Sequence, residues 1–352
     1  MTPINAIYEA LQFDPSLKFT PADINQLSEK YLAPRKYSRD MLYRSMMEGK
    51  TIVFHDYPVA LKIPLGEDKT AYLLQLLRKG IPQKERIKIR TGTKHTELKV
   101  TVRDAVDRWT RGRSRFGVTD LHFRGTRLFK HIDADAVSYF NILPRFTAEL
   151  SFLEMLTMVI SSRGIFSDSH TDDGDGSNHC FTGKKLWFAW DRMEGQQAGL
   201  EDCSFDVVED EAHFTMDKFL SLKSAHWFIV SENRTLFMPG NFAHRVITLE
   251  KYIGFGSFYI SLPNYLNSIR RWIVDGGTDV TETYVNTLNR NFIRLLKKIS
   301  QLPPHEQERL GLPYLFKARK QLQKNMDALS MDKLLSNETV KALLAAIDRM
   351  EQ

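Results

Sequence analysis

The spacing of apolar and polar positions changes along the chain and divides it into three regions. Up to about residue 97 the pattern is mixed, with a helical segment around PADINQLSEKYL, apolar runs in TIVFHDYPVALKIPL and a helical period in TAYLLQLLRKG. From about residue 98 to 272 short β-like runs prevail, among them LKVTV, KKLWFAW, HWFIV, TLFMP and YIGFGSFYI. Gly, Pro, Asn and Asp separate these runs, and this arrangement predicts a β sandwich or barrel.

Region 283–352 has a helical period, and prolines at 303, 304 and 313 divide it into separate helices. Two of its helices carry apolar stripes. Such a stripe either packs against the chain's own core or forms the surface of a homodimer, and the sequence does not decide between the two. We therefore expect a supporting region 1–97, a β core 98–272 and a helical appendage. The stripe positions are Tyr284, Leu288, Phe292 and Leu295, and Val340, Leu343, Leu344 and Ile347.

Length and composition are those of a globular protein. The 352 residues, 42% of them hydrophobic, are enough for one large domain or two ordinary ones. No stretch has the apolar length of a signal peptide or a membrane span, so we expect a cytoplasmic protein, or a nuclear one in a eukaryote. The two cysteines, Cys180 and Cys203, are too few for a disulfide framework or a Cys-rich zinc module, and we expect reduced thiols.

The net charge of +6 is unevenly distributed. Residues 84–115 contain eleven Lys or Arg against four Asp or Glu. Such a stretch can attract nucleic acid or an acidic peptide. Because no nucleic-acid-binding signature accompanies it, we favour a solvated face and do not favour a nucleic-acid partner.

The stretch SDSHTDDGDGSNHCFTGKKLWFAWD contains the candidate chemistry. His170 and Asp172 are two residues apart, so in a strand their side chains project to the same face. His244, which follows TLFMPGN, can supply a third ligand from a distant strand. Two imidazoles and one carboxylate form the facial triad of non-haem Fe(II) oxygenases, which leaves positions open for cosubstrate and oxygen.

Several polar and aromatic residues follow the first two ligands. Lys184 and Lys185 alternate in a strand, so one of them should project inward, where it can pair with a bound carboxylate. Asn178 or His179 could contact substrate or groups bound to the metal, but in their Gly- and Asp-rich segment we favour turn chemistry. The remaining two, Trp187 and Trp190, cannot both face a pocket, and for both we expect core packing.

Residues 98–272 resemble a JmjC (Jumonji C) domain, the double-stranded β-helix of the cupin or jelly-roll type found in Fe(II)- and 2-oxoglutarate-dependent oxygenases. The segments LKVTVRDAVDRW and GVTDLHFRGTRLFKHI resemble the lead-in of the histone lysine demethylase branch with F-box-linked and PHD-finger-linked enzymes. MVISSRGIFSDSHTD resembles its first metal strand, and SENRTLFMPGNFAHRVITLEKYIGFGSFYISLPNYLNSIRRW resembles its second. The resemblance covers about half of the chain.

The resemblance implies roles for individual residues. His170, Asp172 and His244 match the iron ligands. Ser167 falls where the family has a hydroxyl that contacts the cosubstrate, and Lys185 matches the lysine that binds it, with Lys184 as the alternative. The spacing from His170 to Lys185 is similar to that of JmjC hydroxylases rather than demethylases, and an aromatic residue at 258 aligns with an Asn of the demethylase branch.

The implied cofactors are Fe(II), 2-oxoglutarate as cosubstrate and O2. The implied activity is hydroxylation of a side chain on a protein or peptide, or demethylation where the hydroxylated carbon carries nitrogen. Two alternatives stay open: a hydroxylase of a small amino-acid-like metabolite, and a noncatalytic binding module of the same fold. We expect no membrane partner.

Overall fold

The computed structural model describes most of the chain. The described residues are 3–81, 86–91, 96–112, 115–122, 127–132, 155–172, 174–200, 214–240, 242–274 and 281–351. Cys203 and part of the basic stretch 84–115 lie outside these ranges. Within the stretch, the described residues Arg103, Arg108 and Arg111 are exposed on one helix, and Cys180 is a buried free thiol.

Ten described strands form one sheet in which every pairing is antiparallel. Its order is β1-β9-β7-β10-β5-β4-β2-β3, while β6 pairs with β10 and β8 pairs with β7. The strands are β1 Ile52–Phe54, β2 Arg86–Thr91, β3 Thr96–Thr101, β4 Phe116–His122, β5 Met155–Ser161, β6 Phe166–Thr171, β7 Asp175–Asp191, β8 His226–Ser231, β9 Thr235–Met238 and β10 Phe242–Tyr259.

The centre of the sheet is built on two long strands, β7 and β10. They pair along their whole length, with register shifts between Thr248 and Gly254. On either side of these shifts the two strands pair with different neighbours, β6 and β8 at one end and β5 and β9 at the other. One apolar cluster gathers side chains from both ends, and it includes Val159 of β5, Trp187 of β7 and Phe228 of β8.

Helices precede the strands, follow them and connect them. Several start with a side-chain cap: Asp68 accepts a hydrogen bond from the backbone of Ala71, and Thr281 from that of Tyr284. The helices are α1 Asn5–Ala10, α2 Ile24–Glu29, α3 Arg39–Met47, α4 Lys69–Gly80, α5 Val102–Arg111, α6 Arg192–Gln197, α7 Met216–Ser221, α8 Tyr265–Ile273, α9 Glu282–Ile299, α10 Pro304–Arg309, α11 Leu312–Asn325, α12 Ala328–Leu335 and α13 Glu338–Glu351. Short 3-10 helices cover Pro15–Leu17, Pro21–Asp23 and Arg127–His131.

The apolar stripes of α9 and α13 pack within the chain. Seven of the eight stripe positions are buried in the largest apolar cluster, and Tyr284 packs against it partly exposed. This cluster also contains residues of α3, β4 and β5. The stripes are therefore covered by the chain's own core, and a homodimer would have to use other faces of these helices.

The described structure agrees with the predicted strand-rich core and helical flanks. The prolines act as predicted, since α9 ends at Ile299, α10 begins at Pro304 and Pro313 lies in the first turn of α11. No helix in the described ranges combines the length and apolar character that crossing a membrane requires.

Candidate metal centre

Adjacent strands bring the three predicted ligands together. His170 lies on β6 directly opposite His244 on β10, so both imidazoles project to the same face of the sheet. Asp172 follows the last residue of β6 and, two positions after His170, projects to that face as well. Ligand atoms of the three side chains lie within 4.8 Å of one another.

The geometry of this cluster is that of a closely packed ligand set. His244 Nε2 lies 3.7 Å from Asp172 Oδ2, and the two imidazole rings have centroids 4.2 Å apart. Nδ1 of His170 is 2.7 Å from the carbonyl oxygen of Asp168. Nδ1 of His244 is 3.4 Å from the carbonyl oxygen of Phe242. Because backbone carbonyls accept from Nδ1, Nε2 of each ring is the nitrogen that can ligate. Burial, and the neighbouring imidazole, hold the pKa of His244 well below its usual value, so the ring is neutral.

A β-bulge in β6 decides where Ser167 projects. From His244 to Val246 the partner on β6 changes from His170 to Ser167, so two steps along β10 match three steps along β6. Without the bulge, Ser167 would project away from His170 because their spacing is odd. With it, Ser167 lies opposite Val246 on the ligand face, as its predicted role requires.

The two lysines project in different directions, as the alternation predicts. Lys185 lies opposite Thr248, on the face of β10 that carries His244, and is 7% exposed. Its Nζ lies 4.6 Å from the centre of the Tyr252 ring. Lys184 forms a 2.5 Å ion pair with Glu250 and is partly exposed. The inward lysine is therefore Lys185, while its role towards a cosubstrate stays a prediction.

An aromatic side chain, Trp187, lies between Lys185 and the three ligands. Trp187 lies opposite Val246 on the ligand face, and its ring centre is 5.4 Å from that of His244. Its Nε1 has no hydrogen-bond partner among the described residues. Both tryptophans pack in apolar clusters, as expected: Trp187 lies in the cluster that contains Val246 and Phe228, and Trp190 lies in the cluster on the other face of β7.

The expectation of turn chemistry for Asn178 and His179 is wrong, because β7 begins at Asp175 and both residues are buried strand positions. The Tyr252 hydroxyl donates a hydrogen bond to Asn178 Oδ1, near Lys185. His179 projects to the opposite face, where Nδ1 contacts Thr235 Oγ1 at 2.7 Å and burial lowers the pKa of the imidazole to about 3. Sequence reasoning missed Tyr252, because the register shifts that bring it to Lys185 have no signal in the hydrophobic pattern.

A buried ion-pair network lies next to two of the ligands, on the opposite face of their strands. Arg245, next to His244 and 2% exposed, contacts Asp14 Oδ2 through Nε at 2.7 Å and Asp168 Oδ1 through Nη1 at 3.3 Å. Asp168 is also the residue whose carbonyl accepts from His170. The N-terminal region thus contacts β10 through Asp14, a link across 231 positions that sequence spacing does not indicate, and Arg245 joins it to Asp168 of β6.

A scan against models of known protein families and a search of curated proteins both found no match. The JmjC assignment therefore stays a prediction that depends on the quoted sequence segments.

Proposed function

We propose that the protein is an Fe(II)- and 2-oxoglutarate-dependent oxygenase of the JmjC type that hydroxylates, or demethylates through hydroxylation, a side chain of a protein or peptide. One observation carries the proposal. His170, Asp172 and His244 converge on a face of the sheet that also presents the buried Lys185.

The donor set fits the proposed metal. Two imidazoles and a carboxylate are ligands suited to Fe(II), and three residues on one side of an ion leave positions for other ligands. Iron bound here with 2-oxoglutarate would activate O2 for insertion into a substrate C–H bond. The long strands β7 and β10, which pair with different neighbours at their two ends, are compatible with a double-stranded β-helix and support the proposal at the level of fold.

The remaining groups have roles that follow from position. Lys185 is four residues from Ala189, the partner of His244, and thus about 13 Å away along the strand. A dicarboxylate that reaches from the cluster towards its ammonium group would cover this distance together with the lysine side chain. Ser167, Asn178 and Tyr252 supply hydrogen bonds, and apolar side chains such as Val246 and Phe228 exclude water.

The first experiment is anaerobic titration of the purified protein with Fe(II) and 2-oxoglutarate, followed by the visible charge-transfer absorption of the chelate. We expect a band in the wild type and none in His170→Ala. No band in folded wild-type protein would contradict the proposal. Succinate release then separates an oxygenase from a binding module, and turnover of peptides compared with free amino acids separates the two substrate classes.

A further inference from the structure

Two adjoining cavities open beside the start of β10. Their volumes are about 1030 Å³ and about 810 Å³, and Lys50, Lys223, Ser224 and Phe242 line both. A drug-sized ligand typically occupies a cleft of ~300–1,000 Å³. Since either cavity alone approaches or exceeds the upper part of that range, the pair has room for a ligand much longer than a free amino acid.

Phe242 and His226 connect these cavities to the metal centre. Phe242 is two residues before His244, so its side chain projects to the ligand face. His226 lies opposite Ala189, which lies opposite His244 in turn. His226 is therefore two strand spacings, roughly 10 Å, from His244 on the same face. Its ring centre lies 5.3 Å from that of Phe242.

Two residues that line the second cavity, His226 and Thr51, each have a buried polar atom without a partner among the described residues. His226 Nδ1 donates to the Ser224 carbonyl at 2.9 Å, which leaves Nε2 as a hydrogen-bond acceptor, and Nε2 is buried and unpaired. Burial lowers the pKa of His226 to about 4, so the ring is neutral at pH 7. Thr51 Oγ1 is also unpaired, on a residue that is 7% exposed. Such atoms favour a ligand that supplies an N–H donor, as a peptide backbone does.

The carboxylates of the first cavity already have partners. Glu194 accepts hydrogen bonds from the backbone of Lys223 and Ser224, and Glu48 pairs with Lys50 at 2.8 Å. Asp191 Oδ1 caps α6.

Two lysines of the first cavity, unlike its carboxylates, have side chains that are not paired with another described residue. Lys223 and Lys324 are exposed, and neither side chain has an ion-pair partner within the described ranges. The charge that this cavity offers to a ligand is therefore positive.

We propose that the two cavities together bind an extended peptide segment with acidic side chains, which contacts His226 and Thr51 in one cavity and Lys223 and Lys324 in the other. The inference depends on the proposed function only in naming this peptide as the substrate. Nucleic acid is less suited, because the cavities combine the lysines with carboxylates and with apolar side chains such as Met47 and Leu322.

Fluorescence polarisation tests the proposal without iron or turnover. Three labelled peptides of equal length, with Glu, Gln or Lys at the same positions, and one single-stranded RNA are titrated against the full chain at low salt. We expect the Glu peptide to bind most tightly. The double variant Lys223→Glu/Lys324→Glu should weaken it by about tenfold or more, whereas Lys130→Glu, an exposed lysine that lines neither cavity, should not.

His226→Phe with Thr51→Val removes the two unpaired polar atoms while keeping the side chains similar in size, and should weaken all peptides without changing the order of preference. Equal affinity for the three peptides, an equal loss in Lys130→Glu, or tighter binding of the RNA would each overturn the proposal. His170→Ala should bind the Glu peptide as the wild type does. This result separates peptide binding in the two cavities from metal binding, so that the peptide proposal and the oxygenase proposal can each fail alone.

Discussion

At the scale of single residues, Lys184 and Lys185 show that position in a strand determines whether a lysine is buried on the ligand face or partly exposed. They are neighbours with the same chemistry, yet one is buried on the ligand face and the other pairs with Glu250. We expect Lys185→Met to raise the Kd for 2-oxoglutarate by roughly 30-fold or more, because the bound carboxylate loses its cation. Lys184→Met should change it less than about twofold, because an exposed ion pair contributes little. Calorimetry with Co(II) in place of iron measures both, and equal effects would contradict the assignment.

Arg245 is the residue whose loss should affect stability and metal binding together. Arg245→Met leaves the carboxylates of Asp14 and Asp168 without their buried partner, which typically costs about 3–5 kcal/mol of unfolding free energy. Because the same network borders both histidines, Co(II) affinity should fall about tenfold to a hundredfold. Arg44→Met, which breaks an exposed pair with Asp40, should cost about 1 kcal/mol or less and leave Co(II) affinity unchanged. Urea unfolding and Co(II) absorbance give the two values, and an Arg245→Met protein with wild-type metal affinity would limit the network to stability.

Asp175 should make the protein less stable as pH rises, which is the opposite of the effect of a carboxylate whose pKa is lowered by folding. Burial raises its pKa to about 6, although Ser261, Asn264 and the Gly240 amide donate hydrogen bonds to it. Since the folded pKa is above the unfolded value of 3.8, the contribution is full below pH 4 and is lost as pH rises through 6. The wild type should therefore lose roughly 2 kcal/mol relative to Asp175→Asn between pH 4 and pH 7. Paired urea titrations across this range measure the difference, and a constant difference would refute the raised pKa.

At the scale of elements, the sequence predicted strands and helices better than their connections. The alternation in KKLWFAW and the helical period of the C-terminal region correspond to β7, α9 and α13. The bulge in β6 that brings Ser167 to the ligand face was not predictable, since apolar spacing does not show which residue is left unpaired. The turn expected around Asn178 was instead a strand, because pairing with β9 and β10 outweighs the turn preference of Gly and Asp.

The apolar stripe on α9 allows a test of whether the C-terminal helices pack on the chain's own core or hold two copies together. Phe292→Ala should cost about 3–5 kcal/mol of unfolding free energy, because the ring is 2% exposed and packs on the chain's own core. Leu329→Ala, 80% exposed on α12, should stay within about 0.5 kcal/mol. Neither should change the mass measured by light scattering. A lower mass for Phe292→Ala alone would show that the stripe holds two copies together.

At the scale of the whole molecule, the three sequence regions share one interior. The largest apolar cluster takes Leu42 and Leu77 from the first region, Leu121 and Phe255 from the second and Leu343 from the third. Apolar spacing identifies which face of each element is buried but not which other element covers it, because such contacts join distant parts of the chain. The predicted boundaries at 97 and 283 therefore describe changes in pattern, whereas the packing joins the regions.

This shared interior leads to a prediction about the β core alone. Expressed as residues 98–272, it would expose the apolar surface now covered by the first and third regions, and Arg245 would lack Asp14. Because net stability is only ~5–15 kcal/mol, losing the burial of several large side chains exceeds it. We expect the fragment to show no cooperative thermal transition by circular dichroism and no saturable Co(II) binding, while the full chain shows both. A cooperative transition in the fragment would mean that the flanking helices support a core that folds without them.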